Sequence, residues 1–212
     1  ATGDPRALES CKKTLRSMRF GGIFDEVGKG FHRYSTDAKW RLPHFEKMLY
    51  DQAMLALAFL ETYQKTGDEF YAKTAEEIFT YVLRVLTSPD GGFYSAEDAD
   101  SEGEEGKFYV WEPSEIENVL KPEQAAEIAN AFDLKQNGNF RDEATHEYTG
   151  KNIFIYQPQN KEHPGEKYAQ ELAALYRHRQ DRVRPHLDDK ILTDWNGLMI
   201  AALARGGRVL QN

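Results

Sequence analysis

The chain has 212 residues, 29% of them charged and 40% hydrophobic, with a net charge of −8. That length can build one substantial core, and the acidic balance argues against nucleic acid as the main partner, since a phosphate-binding surface needs a basic stripe and none is visible. The longest apolar run, Ala53 to Leu60, is far short of the ~20 residues that span a bilayer, no signal-peptide pattern opens the sequence, and the single cysteine, Cys11, excludes an internal disulfide and a cysteine zinc site. Few cysteines suit a reducing, cytoplasmic setting.

Asp4-Pro5 starts a first helix, with a capping carboxylate ahead of proline at the first helical position. It runs to about Arg19 and stops at Gly21-Gly22. Cys11 falls at helical spacing with Leu8, Leu15 and Met18 and is expected as a small buried hydrophobe. A glycine-rich stretch follows, "GGIFDEVGKGFHRYSTDAKW", and then a second helix expected from about Pro43 to Thr66. A third starts after Asp68 and runs to about Leu86, with Phe70, Ile78, Phe79, Val82 and Leu86 on one side and Lys73, Glu76, Glu77 and Arg84 away from them. Pro89-Asp90-Gly91-Gly92 forces a turn. Short helices are expected after Pro113 and after Pro122, then a turn and short strands from Gln136 to Tyr156. Glu166 to Arg182 is helical again, and a last helix begins near Trp195.

Two segments, Ala53 to Leu60 and Leu198 to Ala204, are apolar all round, which predicts burial on every side. Fully buried helices alternating with half-buried ones imply two concentric layers, an (α/α) toroid. A repeat supports this: Gly21-Gly22-Ile23-Phe24 returns as Gly91-Gly92-Phe93-Tyr94, and each is followed by a polar loop, an aromatic segment ending in Trp40 or Trp111, and a helix. Loops that lead into inner helices should gather on one rim, where a site would form.

The candidate chemistry sits in those loops. If Pro43 opens the second helix, His44, Met48 and Asp51 share a face. A histidine there can act as acid or base near neutral pH; the plain alternative is a structural histidine bonded to a neighbouring loop. His32 and Arg33 precede Tyr34 and Trp40. Arginine offers a fork for carboxylate or phosphate, and aromatic rings can stack on a sugar face; alternatively, the loop packs its aromatics on its neighbours. Asp98, Asp100, Glu102 and Gly103 mimic the start of a calcium loop, but Tyr109 occupies the twelfth position, where that loop needs a bidentate Glu. A carboxylate pair for sugar hydroxyls or acid/base work survives, beside the reading of a solvated acidic loop. His186 and Asp188-Asp189 come just before the last helix, which Trp195 and Asn196 open. His146, His163 and His178 are assigned no role. No metal or cofactor is expected, and the familiar nucleophile-elbow, phosphate-loop and HExxH patterns are absent.

"GGIFDEVGKGFHRYSTDAKW", "PHFEKMLYDQA", "GGFYSAEDADSEGEEGKFYVW" and "HLDDKILTDWNGLMIAA" together resemble the spermatogenesis-associated, thioredoxin-domain-containing proteins, over essentially the whole chain. The resemblance implies an all-α, six-hairpin (α/α)6 toroid of the glycosidase type with short β-hairpins in its rim loops, similar to N-acylglucosamine 2-epimerases and some glycoside hydrolases. It also implies an N-terminal thioredoxin-like domain, for which residues 1–212 have no CxxC, so the chain is expected to be a partial toroid domain, roughly the first half. Lys29 interrupts a glycine run usual in this family before "FHRY", which questions a strictly glycine-dependent backbone there. The expected function is carbohydrate chemistry on a sugar-like small molecule. Epimerase or isomerase action would use His44 and His186. A glycosidase would use paired carboxylates from Asp98, Asp100, Asp188 or Asp189. A third possibility is a non-catalytic sugar-binding or regulatory module. His32, Arg33, Trp40, Asp51, Asp100, Trp195 and Asn196 are the expected substrate contacts.

Overall fold

A computed structural model describes residues 4–141, 147–158 and 163–211. Helix α1, Pro5–Phe20, begins as expected: the Asp4 carboxylate accepts the Arg6 N–H at 2.9 Å, and Pro5 occupies the first turn. Cys11, however, is exposed, its Sγ 3.7 Å from the Thr62 hydroxyl. The α1 stripe that faces the core carries Leu15 and Arg19 instead.

The second helix differs most from expectation. Pro43–His44 is a strand, β2, paired antiparallel with β1, Tyr34–Ser35. Strand β3, Lys47–Met48, follows, and α2 runs only from Leu49 to Thr66. Proline is compatible with a strand edge, where no N–H is demanded of it, and here the pairing with β1 wins. His44, Met48 and Asp51 are therefore not neighbours on one helical face.

Helix α3, Glu69–Tyr81, is capped by Asp68 and continues into a single π-helical stretch, Val82–Leu86. The expected apolar side is buried, Phe70, Ile78, Phe79, Val82 and Leu86 included. Two two-residue strands, β4 (Ala96–Glu97) and β5 (Asp100–Ser101), precede β6, Glu104–Glu105, which closes a hairpin with β5. Helices α4, Pro113–Val119, and α5, Pro122–Ala131, both start at their prolines. Among its described residues the Gln136–Tyr156 region forms isolated antiparallel bridges, Trp111 to Asn152 and Arg141 to Tyr148, rather than regular strands; His146 lies outside the described residues. The next helical region is broken at Tyr168 into α6, Pro164–Lys167, and α7, Ala169–Arg179. Strand β7, Leu187–Asp188, leads into α8, Thr193–Leu210.

Helix α2 packs between α3 and α8. Its inward residues Ala53, Ala56, Phe59 and Leu60 are fully buried, as are Met199 and Ala202 of α8. Neither helix is buried on every side, though: Met54 is 53% exposed and Ile200 59%, so each apolar helix keeps an open strip. A second cluster of buried side chains joins Trp111, α4, α5 and α7, and a third gathers Phe45, Phe108, Tyr109 and Ile153 under the loops.

Candidate functional site

The three loop motifs meet. Strands β3, β4 and β7 form one antiparallel sheet, with Lys47 opposite Glu97 and Ala96 opposite Asp188. This sheet sits at the N-terminal ends of α2 and α8: the Leu49 N–H donates to the Ser95 carbonyl at 2.9 Å. A second device fastens the loops to the helices. Gln52, the fourth residue of α2, accepts the Phe31 N–H at 2.9 Å and donates to the Phe31 carbonyl at 2.7 Å. Asn196, the fourth residue of α8, does the same for Phe93, at 2.8 and 2.9 Å. An amide side chain is the group that can satisfy both halves of a buried peptide unit at once. Asn196 is thus spent on the loop, buried, with its carboxamide filled. Gln52 was not singled out by the sequence reading; its match to Asn196 in the repeat was the available signal.

Beneath the sheet lies a buried charged network that sequence reasoning also missed. The Asp25 carboxylate accepts two hydrogen bonds from Arg179, at 2.9 and 2.8 Å, one from Lys47 Nζ at 2.8 Å, and the N–H groups of Val27 and Gly28. Burial opposes the Asp25 charge, but Arg179 and Lys47 outweigh it and hold the carboxyl well below the usual range. Burial in turn pulls the Lys47 amine down to about 8, against the attraction of Asp25 and Glu97. Glu97 accepts the Tyr81 hydroxyl at 2.8 Å and Arg184 at 2.6 Å. This network explains the glycine-rich loop. A Cβ on Gly28 would sit 1.9 Å from Arg179 Nη2, and one on Gly30 would meet the Tyr81 ring at 2.6 Å. Lys29 adopts the left-handed backbone a glycine would favour, φ 66°. Its carbonyl accepts from Lys47 at 2.8 Å, and its amine pairs with Glu77 at 2.7 Å.

His32 belongs to this interior. It is 3% exposed, its Nδ1 lies 2.9 Å from the Phe45 carbonyl, and its ring stands edge-on to Phe45 and Tyr109. Burial, reinforced by Lys47, pushes its pKa down to about 3, so it stays neutral and enclosed. Trp40 is only partly buried, packs on the α1–α2–α3 core and accepts the Gly22 N–H at 2.7 Å through its carbonyl. Both positions have the plain structural explanation.

Two expected site residues, Arg33 and His44, come together on the surface through a shared carboxylate. Tyr34 and His44 are register partners across β1 and β2, their rings stacked 4.9 Å apart. The His44 ring is held between two carboxylates: Nδ1 lies 2.7 Å from Glu105 Oε1, and Nε2 lies 3.2 Å from Glu46 Oε2. The same Glu46 oxygen takes the Arg33 guanidinium at 2.8 Å. Arg33 and Glu46 are also the charges that act on Asp51, in the first turn of α2. Its neighbour Tyr50 meets Trp195 edge-on at 4.8 Å. His44, Tyr34 and Glu105 line a cleft of about 760 Å³, whose other wall includes Phe140, Tyr148 and Lys151.

The acidic candidates are placed differently. The Asp98 carboxylate turns back to accept the Ala99 N–H at 2.6 Å. Asp98 N–H in turn donates to the His186 carbonyl at 2.8 Å, so the two face each other just beyond the paired strands β4 and β7. Asp188 pairs with Lys190 at 2.5 Å, which draws its carboxyl downward. Asp100 and His186 are exposed, and the His186 imidazole makes no hydrogen bond or ion pair among the described residues. Among the described residues there is no group of three metal-ligating side chains, and no helix is long and apolar enough to cross a membrane.

Fold and site together define a predominantly helical protein whose motif loops are tied by small sheets to the N-terminal ends of two adjacent helices. No family model matches the chain. It is 40% identical, over 97% of its length, to spermatogenesis-associated protein 20 of Homo sapiens and to that of Mus musculus. It is 35% identical, over 92%, to an uncharacterized protein of Caenorhabditis elegans. Over this segment the chain is homologous to spermatogenesis-associated protein 20. It spans about 30% of the length of these relatives. A crystal structure of D-mannose isomerase aligns with all of this chain and 48% of that one, at 13% identity and a TM-score of 0.42. That likeness is too distant to carry an argument.

Proposed function

We propose that this chain forms part of an (α/α) toroid of the six-hairpin kind and that its rim carries a sugar site, at which His44 exchanges a proton with the substrate. The observation that carries the reading is the His44 ring, fixed by Glu105 and Glu46 on the wall of a 760 Å³ cleft with the Tyr34 ring stacked beside it. A carboxylate on one ring nitrogen orients an imidazole for proton transfer, as Glu105 does at Nδ1; Nε2 must then give up its 3.2 Å contact with Glu46 to meet the substrate. Tyrosine supplies the flat apolar face that pyranose rings pack against. Epimerisation or aldose–ketose isomerisation asks for such a group: one proton leaves the carbon next to the carbonyl and one is returned. We assign the second group of the pair to His186, which is exposed, has no hydrogen bond or ion pair from its imidazole among the described residues, and lies outside the lining of the His44 cleft. Hydrolysis by paired carboxylates has less support, because the Asp98 and Asp188 carboxylates are engaged locally. The same reading puts a thioredoxin-like domain elsewhere in the whole protein.

The test is exchange at carbon 2 of an aldohexose in D2O, followed by proton NMR, with wild type, His44→Asn and His186→Asn. Deuterium incorporation by wild type that falls at least about a hundredfold in His44→Asn supports the assignment. Incorporation unchanged in both variants sinks it. A sugar-induced rise in melting temperature with no exchange at all would leave a binding module rather than an enzyme.

A further inference from the structure

We infer that Tyr148 is a second sugar-stacking platform in the His44 cleft, and that the cleft takes a disaccharide or longer glycan rather than a single hexose. This rests on the carbohydrate reading above and adds to it the size of the substrate.

Among the described residues, Tyr34 and Tyr148 are the only Phe, Tyr or Trp side chains that stand exposed, at 49% and 56%. They come from separate stretches of the chain, yet both line the cleft that His44 lines. An aromatic ring left in water forgoes the burial that dominates its energetics. Two such rings on one concavity mark a surface kept for a ligand. A flat apolar ring with a hydroxyl at its edge suits a pyranose, which offers a C–H face and a rim of hydroxyls.

Tyr148 is held in place. Its backbone pairs antiparallel with Arg141, whose guanidinium carbon lies 4.5 Å from the ring centroid. The cation takes one face of the ring, and the exposure of the side chain leaves the other face for a ligand. Lys151, three residues further on, forms an ion pair with Glu104. Glu105, the next residue, fixes His44 Nδ1 at 2.7 Å. The β5–β6 hairpin thus ties the segment that carries Tyr148 to the ring of His44. Glu104 and Lys151 both line the cleft, and they supply acceptors and donors for sugar hydroxyls on the path from one platform to the other.

Size favours more than one sugar. Clefts of about 300–1,000 Å³ hold drug-sized ligands, and this one, at about 760 Å³, lies in the upper part of that range. A single hexose is smaller than such ligands and stacks on one platform. A second unit, joined to the first, occupies the other.

The experiment is isothermal titration calorimetry of the full chain with D-glucose, cellobiose and maltose, in wild type, Tyr148→Ala and Tyr148→Phe, with the His44 ring signal followed by NMR in the same titrations. The inference expects at least one disaccharide to bind about tenfold tighter than glucose. Tyr148→Ala should bring that disaccharide down to the affinity of glucose, while glucose binding stays within about twofold of wild type. Tyr148→Phe, which keeps the ring, should keep the preference. Equal affinity for all three sugars, or a preference that survives Tyr148→Ala, overturns the second platform and leaves the His44 reading standing. An equal loss of glucose and disaccharide binding in Tyr148→Ala overturns it too, because both tyrosines then serve one sugar. A preference that depends on Tyr148, with the His44 signal unmoved, supports the platform and removes His44 from the site. Binding of none of the three sugars overturns the platform together with the carbohydrate reading.

Discussion

Arg179 lies 154 residues from Asp25 in sequence yet makes two hydrogen bonds to its carboxylate in the interior. Replacing it with methionine keeps much of the apolar stem and removes the guanidinium. Asp25 is then left buried with Lys47 and two backbone N–H groups. Breaking a buried ion pair from one side costs about 3–5 kcal/mol, because the remaining charge stays desolvated. For a chain of this length each kcal/mol corresponds to roughly 2–4 °C, so Arg179→Met should lower the melting temperature by about 6–20 °C. Urea unfolding followed by circular dichroism measures the loss directly, and Asp25→Asn in the same background should recover part of it. A loss below about 1 kcal/mol, with native spectrum and no coupling to Asp25→Asn, would refute the claim that this pair organises the loop interior.

Gly28→Ala should destabilise by more than about 2 kcal/mol, since its Cβ would collide with Arg179 Nη2 at 1.9 Å; a wild-type melting temperature would contradict that. His32 yields a pH prediction. Its folded pKa, about 3, lies below the unfolded value, so the unfolded chain takes up the proton first. The stability linked to it is complete above about pH 6.5 and is lost as pH falls toward 3, up to ~5 kcal/mol. His32→Asn should flatten that part of the stability–pH curve, and an unchanged slope would count against it. Lys29→Gly should lie within about 1 kcal/mol of wild type, backbone relief at φ 66° offsetting the lost Glu77 pair. Lys29→Val, β-branched at a left-handed position, should cost more than Lys29→Gly in the same unfolding assay.

Local signals in the sequence located most helices. Asp4-Pro5, Asp68, Pro113 and Pro122 each begin one, because capping and fixed φ act within a few residues. Pro43 misled for the same reason: its helix-starting meaning is local, whereas its strand role depends on Tyr34 and Ser35 across the hairpin. The meeting of the three motif loops followed from their repeated position ahead of apolar helices. The interior beneath them was not legible. Asp25, Lys47, Glu97 and Arg179 look like ordinary surface charges in sequence, and only long-range partners make them core. His32 reads as a contact residue in sequence, and its burial against Phe45 and Tyr109 is likewise set by long-range partners. Asp51 and Trp195 were legible as candidates, whereas the clamps beside them, Gln52 and Asn196, take their meaning from Phe31 and Phe93, far off in sequence.

The most direct test of the carbohydrate reading is a crystal of the full chain soaked in an aldohexose at millimolar concentration. The account predicts a pyranose packed on Tyr34, with a hydroxyl or the carbonyl carbon's neighbour within hydrogen-bonding reach of His44. A sugar that is bound or turned over in solution yet leaves the His44 cleft empty, or sits elsewhere on the molecule, would contradict it.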